Sequence, residues 1–258
     1  MRVAAIIPAR MASTRFPGKP LAKIQGLSMI EHVRRRVALS LVFDEVLVAT
    51  CDREILEEVE QHGGRAVMTA DTHERCTDRV AEAAAHIEAD VVINVQGDEP
   101  FVRPEMLEAM IVPLREEADL QVTNLMTRIV NDEDFESENV VKAVCDPDGN
   151  ALYFSREPIP SRRKALDGAF LKYRQLGIYA FRTDFLQVFL NLPATPLEIV
   201  ESVDMLRIVE HGWKLRMVET PYEVVGVDTP EDLARAEVLM QDDPLYPLYA
   251  GEKGSGQA

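Results

Sequence analysis

Three cations, Arg10, Arg15 and Lys19, fall within ten residues of one another in a 258-residue chain of formal net charge −16. They lie in Ala9-Arg10-Met11-Ala12-Ser13-Thr14-Arg15-Phe16-Pro17-Gly18-Lys19-Pro20, directly after the short apolar run Val3–Ile7, which reads as a buried strand. Backbone N–H groups of a tight turn, with guanidinium and ammonium groups beside them, suit a polyphosphate. A solvated basic turn is the plain alternative. The loop is not a Walker loop, because G-x-x-x-x-G-K-[ST] is absent. Two aspartates offer the complementary charge. Asp98 ends the run Val91–Val95 in a Gly-Asp-Glu-Pro turn, and Asp228 lies in Val227-Asp-Thr-Pro-Glu-Asp232. Asp98, so placed, suits a hard cation such as Mg²⁺, which shares its shell with substrate phosphates. Asp98 also reads as an ordinary turn aspartate, and Asp228 competes with Thr229 as a helix cap, with Glu231 and Asp232 complementing the helix dipole.

A second basic group, Arg156, Arg162, Arg163 and Lys164, follows the run Ala151–Ser155. A guanidinium at a strand end fits bidentate capture of an acid group. Tyr179 reads equally as a hydroxyl donor to the same ligand or as a core aromatic. His32, His62, His86 and His211 fall on or at the ends of expected helices and read as structural or solvated, and Arg34-Arg35-Arg36 reads as a solvated helical face.

The elements that must position these groups alternate. Val3–Ile7, Val46–Thr50, Ala66–Met68 and Val91–Val95 read as strands, separated by helices over 28–40, 52–62 and 78–88 and followed by one over 104–116. That rhythm predicts βαβ units in a doubly wound, mostly parallel Rossmann-like α/β sheet, whose ligand lies at the carboxyl ends of the strands. Beyond about residue 120, strands Val122–Ile129, Val140–Cys145, Ala151–Phe154 and Tyr173–Phe181 follow with few long helices, and Asp146-Pro-Asp-Gly149 reads as a hairpin turn. Helices are expected at 184–191 and 197–211, strands at Leu215–Val218 and Glu223–Val225, and a closing helix at Pro230–Met240 capped by Thr229. The division expected is a core over 1–120, an inserted mixed-sheet lobe over 121–212, a return to the core over 213–249 and a flexible tail over 250–258.

The acidic balance argues against nucleic acid as partner. No apolar run reaches the roughly 18 residues of a membrane span, and the N-terminus enters a strand directly, so a cytoplasmic protein is expected. Three scattered cysteines argue against both a disulfide framework and a zinc site.

The pattern I-I-P-A-R-x-x-S-x-R-x-P-G-K-x-L, followed by Val95-Gln96-Gly97-Asp98-Glu99-Pro100, Ala151-Leu-Tyr-Phe-Ser-Arg156, Leu176-Gly-Ile-Tyr179 and Gly226-Val-Asp228-Thr-Pro-Glu-Asp232, resembles the sugar-activating cytidylyltransferases. The closest likeness is to those acting on 3-deoxy-manno-octulosonate (Kdo), over residues 3 to about 240 in family order. The resemblance implies transfer of CMP from CTP to a small anionic acceptor with release of pyrophosphate, in a homodimer whose inserted lobe carries the sugar site and the dimer contact. It implies that Asp98 and Asp228 hold Mg²⁺, that Arg10 and Lys19 neutralise the triphosphate with Ala9, Ser13 and Arg15 supporting them, and that Gln96, Thr77 and Arg79 lie at the nucleotide. An Arg at a helix start can pair with a pyrimidine edge, while Thr77 also reads as a plain helix cap. Arg75, Arg156, Gln175, Tyr179, Glu201 and Asp204 would face the acceptor.

Departures cluster there. His73-Glu-Arg75-Cys76-Thr-Asp-Arg79 stands where the family reads His-x-Ser-Gly-Thr-Asp/Glu-Arg. Gln175 replaces a His, and Asp204-Met205 replaces Glu-Gln. Lost hydroxyl partners and an added cation leave three acceptor classes open: Kdo, another ulosonic acid, or a small phosphonate such as phosphonoformate. A nucleotide-binding module without turnover is the non-enzymatic alternative.

Overall fold

Strand β1 (Val3–Ala9) is buried at every residue, as a run without polar side chains must be when helices cover both faces of its sheet. The computed structural model describes residues 1–12, 16–73, 75–164 and 171–251; the expected loop residues Ser13 and Arg15 and all but the first two residues of the expected tail lie outside them. The chain forms two compact units, one of residues 1–108 and 224–258, the other of residues 109–223.

In the first unit, β1 is followed by a 3-10 turn (Lys19–Leu21), a short hairpin of β2 (Lys23–Ile24) and β3 (Leu27–Ser28), and helix α1 (Met29–Ala38). Then come β4 (Glu45–Thr50), α2 (Arg53–Gln61), β5 (Arg65–Met68), α3 (Cys76–Ala84), β6 (Val91–Asn94) and α4 (Pro104–Glu116), which runs across residue 108. β1 pairs in parallel with β4 on one side and with β6 on the other, and β4 with β5. The order β5-β4-β1-β6 makes the gap beyond β1 and β6 the place where the winding reverses, and there such sheets bind ligands.

The second unit runs β7 (Val122–Arg128), α5 (Asp132–Glu136), β8 (Lys142–Cys145), β9 (Ala151–Ser155), β10 (Tyr173–Arg182), α6 (Thr183–Asn191), α7 (Pro196–Glu201), α8 (Leu206–Glu210) and β11 (Leu215–Glu219). β10 is antiparallel to β7 and β8, β8 to β9, while β11 runs parallel to β7, so this is a mixed sheet. The Asp146 carboxylate accepts from the Asp148 and Asn150 amides and closes the β8–β9 hairpin. The chain returns to the first unit with α9 (Pro230–Gln241) and α10 (Tyr246–Ala250).

Several expectations are corrected. The units divide at 108/109 and 223/224 rather than at 120/121 and 212/213, because β11 pairs along β7 and Arg182 donates to the Leu114 carbonyl at 2.7 Å and the Leu120 carbonyl at 2.8 Å. The helix expected over 197–211 is broken at Ser202, which is left-handed (φ 53°); Glu198 folds back to cap Thr195 and to meet Arg207. Residues 223–225 form no strand. Helix α3 begins at Cys76, so Arg75 is its cap residue and Thr77 is buried in its first turn. Arg35 and Arg36 are buried, not solvated, since Glu31 and Asp243 neutralise them at 2.8 Å.

Candidate active site

The three groups expected to handle phosphate and metal converge in the first unit. Lys19 Nζ donates to an Asp98 carboxylate oxygen at 2.7 Å and to an Asp228 oxygen at 3.1 Å. Lys19 is delivered by the turn that Gly18 opens, Asp98 by the loop beyond β6, and Asp228 by the residue before the α9 cap. Thr229 takes the capping role: Asp232 accepts from the Asp228 and Thr229 amides, and Thr229 Oγ1 accepts from the Asp232 amide. Thr229 and Asp232 thus close the cap, and the Asp228 carboxylate meets Lys19. Burial pulls the Lys19 ammonium toward neutrality, but the two carboxylates outweigh it and hold its pKa above the ordinary lysine value.

The β1 and β6 ends are brought together by Gly97. A Cβ there would stand 2.8 Å from the Pro8 carbonyl oxygen, so no side chain fits without opening the gap. Beyond it lies a cleft of about 390 Å³ lined by Arg10, Lys19, Arg75, Arg79, Gln96 and the two aspartates. Ala9 and Cys76 line it too. Arg79 is buried and is oriented by Thr69 Oγ1 and, at 3.3 Å, by the Ala70 carbonyl. Four cations and two carboxylates around one cleft fit a ligand that is strongly anionic yet carries a cation of its own. Asp52 carries no local signal of a role at the site: it is the cap residue of α2, but its side chain makes no capping bond and instead accepts from the Met11 amide at 2.7 Å, fixing the start of the basic loop.

In the second unit the expected acceptor residues are held differently. Arg156 donates through Nε to the Glu201 carbonyl at 2.8 Å, through Nη1 to the Glu138 carbonyl at 2.9 Å and through Nη2 to the Ser202 carbonyl at 3.4 Å. The Glu201 carboxylate accepts from Tyr153, Ser155 and the Arg156 amide. These bonds, against the opposing effect of burial, keep its pKa below the usual carboxylate value. Gln175 Nε2 donates to Asn124 Oδ1 at 2.7 Å, and Asn124 Nδ2 serves the Leu176 and Ile178 carbonyls where the β7–β10 register slips. Tyr179 follows that irregularity, half-buried, and Asp204 lies in the turn between α7 and α8.

A family model for cytidylyltransferases matches residues 4–218. The 3-deoxy-manno-octulosonate cytidylyltransferase of Geobacter metallireducens is 48% identical over 221 residues, covering 82% of this chain and 87% of its own. That of Syntrophotalea carbinolica is 46% identical over 244 residues, with 92% and 98% covered. Among solved structures, a CMP:2-keto-3-deoxy-manno-octonic acid synthetase complexed with CTP superposes with a TM-score of 0.89 at 39% identity, covering 93% of this chain and 99% of its own. The 4-diphosphocytidyl-2C-methyl-D-erythritol synthase of Anaerococcus prevotii shares the fold, with a TM-score of 0.62 at 17% identity over 93% and 98% of the two chains. With Lys19, Asp98 and Asp228 brought to one point on that fold, this chain belongs to the 3-deoxy-manno-octulosonate cytidylyltransferase family of nucleotidyltransferases.

Proposed function

We propose that this chain transfers CMP from CTP to Kdo and releases pyrophosphate. The observation that carries the reading is Lys19 clasped by Asp98 and Asp228 at the mouth of a cationic cleft. The donor set fits Mg²⁺: two carboxylates reach one point, with no imidazole or thiol among them, beside open space for phosphate oxygens and water. Among the described residues no group of three or more His, Cys, Asp or Glu could hold a metal by itself, as suits an ion bound jointly with substrate phosphates. Mg²⁺ held by Asp98 and Asp228 would supply charge neutralisation at the α-phosphate. Arg10 and Lys19 neutralise the triphosphate, Lys19 exchanging a carboxylate for a phosphate oxygen. Gln96 and Arg79 orient the nucleoside end. In-line displacement asks for alignment and charge, and no covalent nucleophile is needed.

Arg75 and Cys76 in the cleft lining favour a second reading, the same transfer to another ulosonic acid or to a small phosphonate such as phosphonoformate. Pyrophosphate release from CTP and Mg²⁺ across Kdo, its 8-amino analogue, neuraminic and legionaminic acids and small phosphonates decides between them. Release with Kdo alone is expected; silence with Kdo and release with a phosphonate selects the second reading.

A further inference from the structure

The two-residue strands of the β2–β3 hairpin follow Lys19 after a single turn, and so short a hairpin does not hold itself. Its tip is Gln25-Gly26, both left-handed, with φ of 49° and 82°. Such a turn prefers Asn-Gly, and its left-handed backbone disfavours a Gln. What holds the tip is the C-terminal arm. The Gln25 amide donates to the Glu237 carboxylate at 2.8 Å, Gln25 Nε2 to the Glu237 carbonyl at 2.9 Å, and Tyr246 Oη to the Gln25 carbonyl at 3.0 Å. One residue back, His32 Nε2 donates to the Ile24 carbonyl at 2.7 Å, and Tyr249 Oη meets His32 Nδ1 at 2.9 Å. The apolar side chains of Ile24, Met29, Val227, Ala236 and Met240 pack together behind these bonds.

Helix α9 therefore grips the Lys19 segment at both ends. Asp228, just before its cap, bonds Lys19 itself, and Glu237, in its final turns, bonds the hairpin that Lys19 leads into. The arm lies beyond residue 218, where the family match ends. We infer that Gln25, Glu237 and Tyr246 are positioning residues that set the Lys19 ammonium against Asp98 and Asp228 for catalysis. The inference rests on the reading of Lys19 as the triphosphate cation.

The test uses the full chain with CTP, Mg²⁺ and Kdo. Glu237→Ala combined with Tyr246→Phe removes two of the tip anchors without touching the cleft. The double variant is expected to lower kcat/KM for CTP about 30-fold, with KM for Kdo unchanged within twofold, and to speed hydrogen exchange at the amides of residues 18–28. Gln25→Asn keeps both backbone anchors in a turn Asn prefers and is expected to retain activity within threefold. The inference is overturned if the folded double variant keeps kcat/KM for CTP within threefold. It is overturned equally if all constants fall together in proportion to the folded fraction, which marks a purely structural arm. Lys19→Met, measured alongside, separates the two ideas: a folded Lys19→Met enzyme with near-normal activity sinks the reading of the lysine, and the inference with it. Loss in Lys19→Met with a silent double variant sinks the inference alone.

Discussion

Lys19 and Arg156 are cations at the ends of apolar strands or the loops that follow them, and the two units use them in opposite ways. Lys19 bonds side-chain carboxylates on a cleft wall, partners that a phosphate can replace without disturbing the backbone. Arg156 donates to three backbone carbonyls, from Glu138, Glu201 and Ser202, and its neighbours close the remaining valences around Glu201. A backbone carbonyl that loses its donor stays where it is, so releasing Arg156 to a ligand gives up three charge-assisted bonds at once with only water to replace them. The lesson is that a strand-end cation reads as a ligand group only when its partners are themselves exchangeable.

The sharpest way to break this contrast is to remove the exchangeable partners. Asp98→Asn and Asp228→Asn should each lower kcat by about a thousandfold or more, with the thermal midpoint within a few degrees of the parent. Steady-state kinetics with Mg²⁺ and a melting curve check both, and near-normal turnover in either variant would remove that aspartate from the metal set. The reverse pattern is expected for Arg156→Ala. Three bonds from a charged donor, discounted for partial exposure, amount to about 3 kcal/mol, so urea unfolding should show that loss and activity should follow the folded fraction. An Arg156→Ala protein of parental stability with a raised KM for the acceptor would make Arg156 a ligand group after all.

The first unit was more legible in the sequence than the second, for physical reasons. Continuous apolar runs such as Val3–Ile7 and Val91–Val95 have one use, the interior of a parallel sheet, and such sheets put their loops at one end. Arg10, Lys19 and Asp98 follow from that rule; the residues around Asp228 leave it open as a helix cap, and only the family resemblance assigns it. The second unit depends on bonds between residues far apart in sequence, such as Arg156 with Glu201 or Gln175 with Asn124, and local spacing carries no trace of them. Arg35 and Arg36 read as solvated for the same cause, since their partners Tyr249 and Asp243 stand about 200 residues away. The Gln25-Gly26 turn was visible in principle, but strands of two residues are too short for alternation to show.

That buried cluster offers a third comparison with the cleft, because it closes charge off from any ligand. His32 Nε2 must donate to the Ile24 carbonyl, which fixes a proton on that nitrogen, and Nδ1 faces the Tyr249 hydroxyl. Burial pushes its pKa down to about 4, assisted by Arg35 and Arg36 and opposed by the Ile24 bond and by Asp243. The unfolded chain, with an ordinary histidine pKa near 6.5, therefore binds the proton first. The contribution of His32 is complete above about pH 6.5 and is lost as pH falls toward 4, reaching about 2 kcal/mol of loss at pH 5. Urea unfolding at pH 7.5 and pH 5.0 should show this slope in the parent, reduced by that amount in His32→Gln. An unchanged slope would mean that the ring is already protonated in the fold.

The smallest effect tests whether the cleft is open where the cluster is closed. None of the three cysteines forms a disulfide, yet their settings differ: Cys76 is exposed on the cleft lining, while Cys51 and Cys145 are half-buried. Burial, with Asp146 adding to it, pushes the Cys145 thiol up to about 11, so little thiolate is present there at pH 8. Alkylation at pH 8 should reach Cys76 well before Cys145. With CTP at about four times its Kd, labelling of Cys76 should slow about fivefold, in proportion to the unliganded fraction, while the Cys145 rate stays constant. Peptide mass mapping over a labelling time course reads all three sites in one experiment. Equal slowing at Cys76 and Cys145 would point to a general tightening of the protein; protection confined to Cys76 places the nucleotide against the start of α3, beside Arg75 and Arg79.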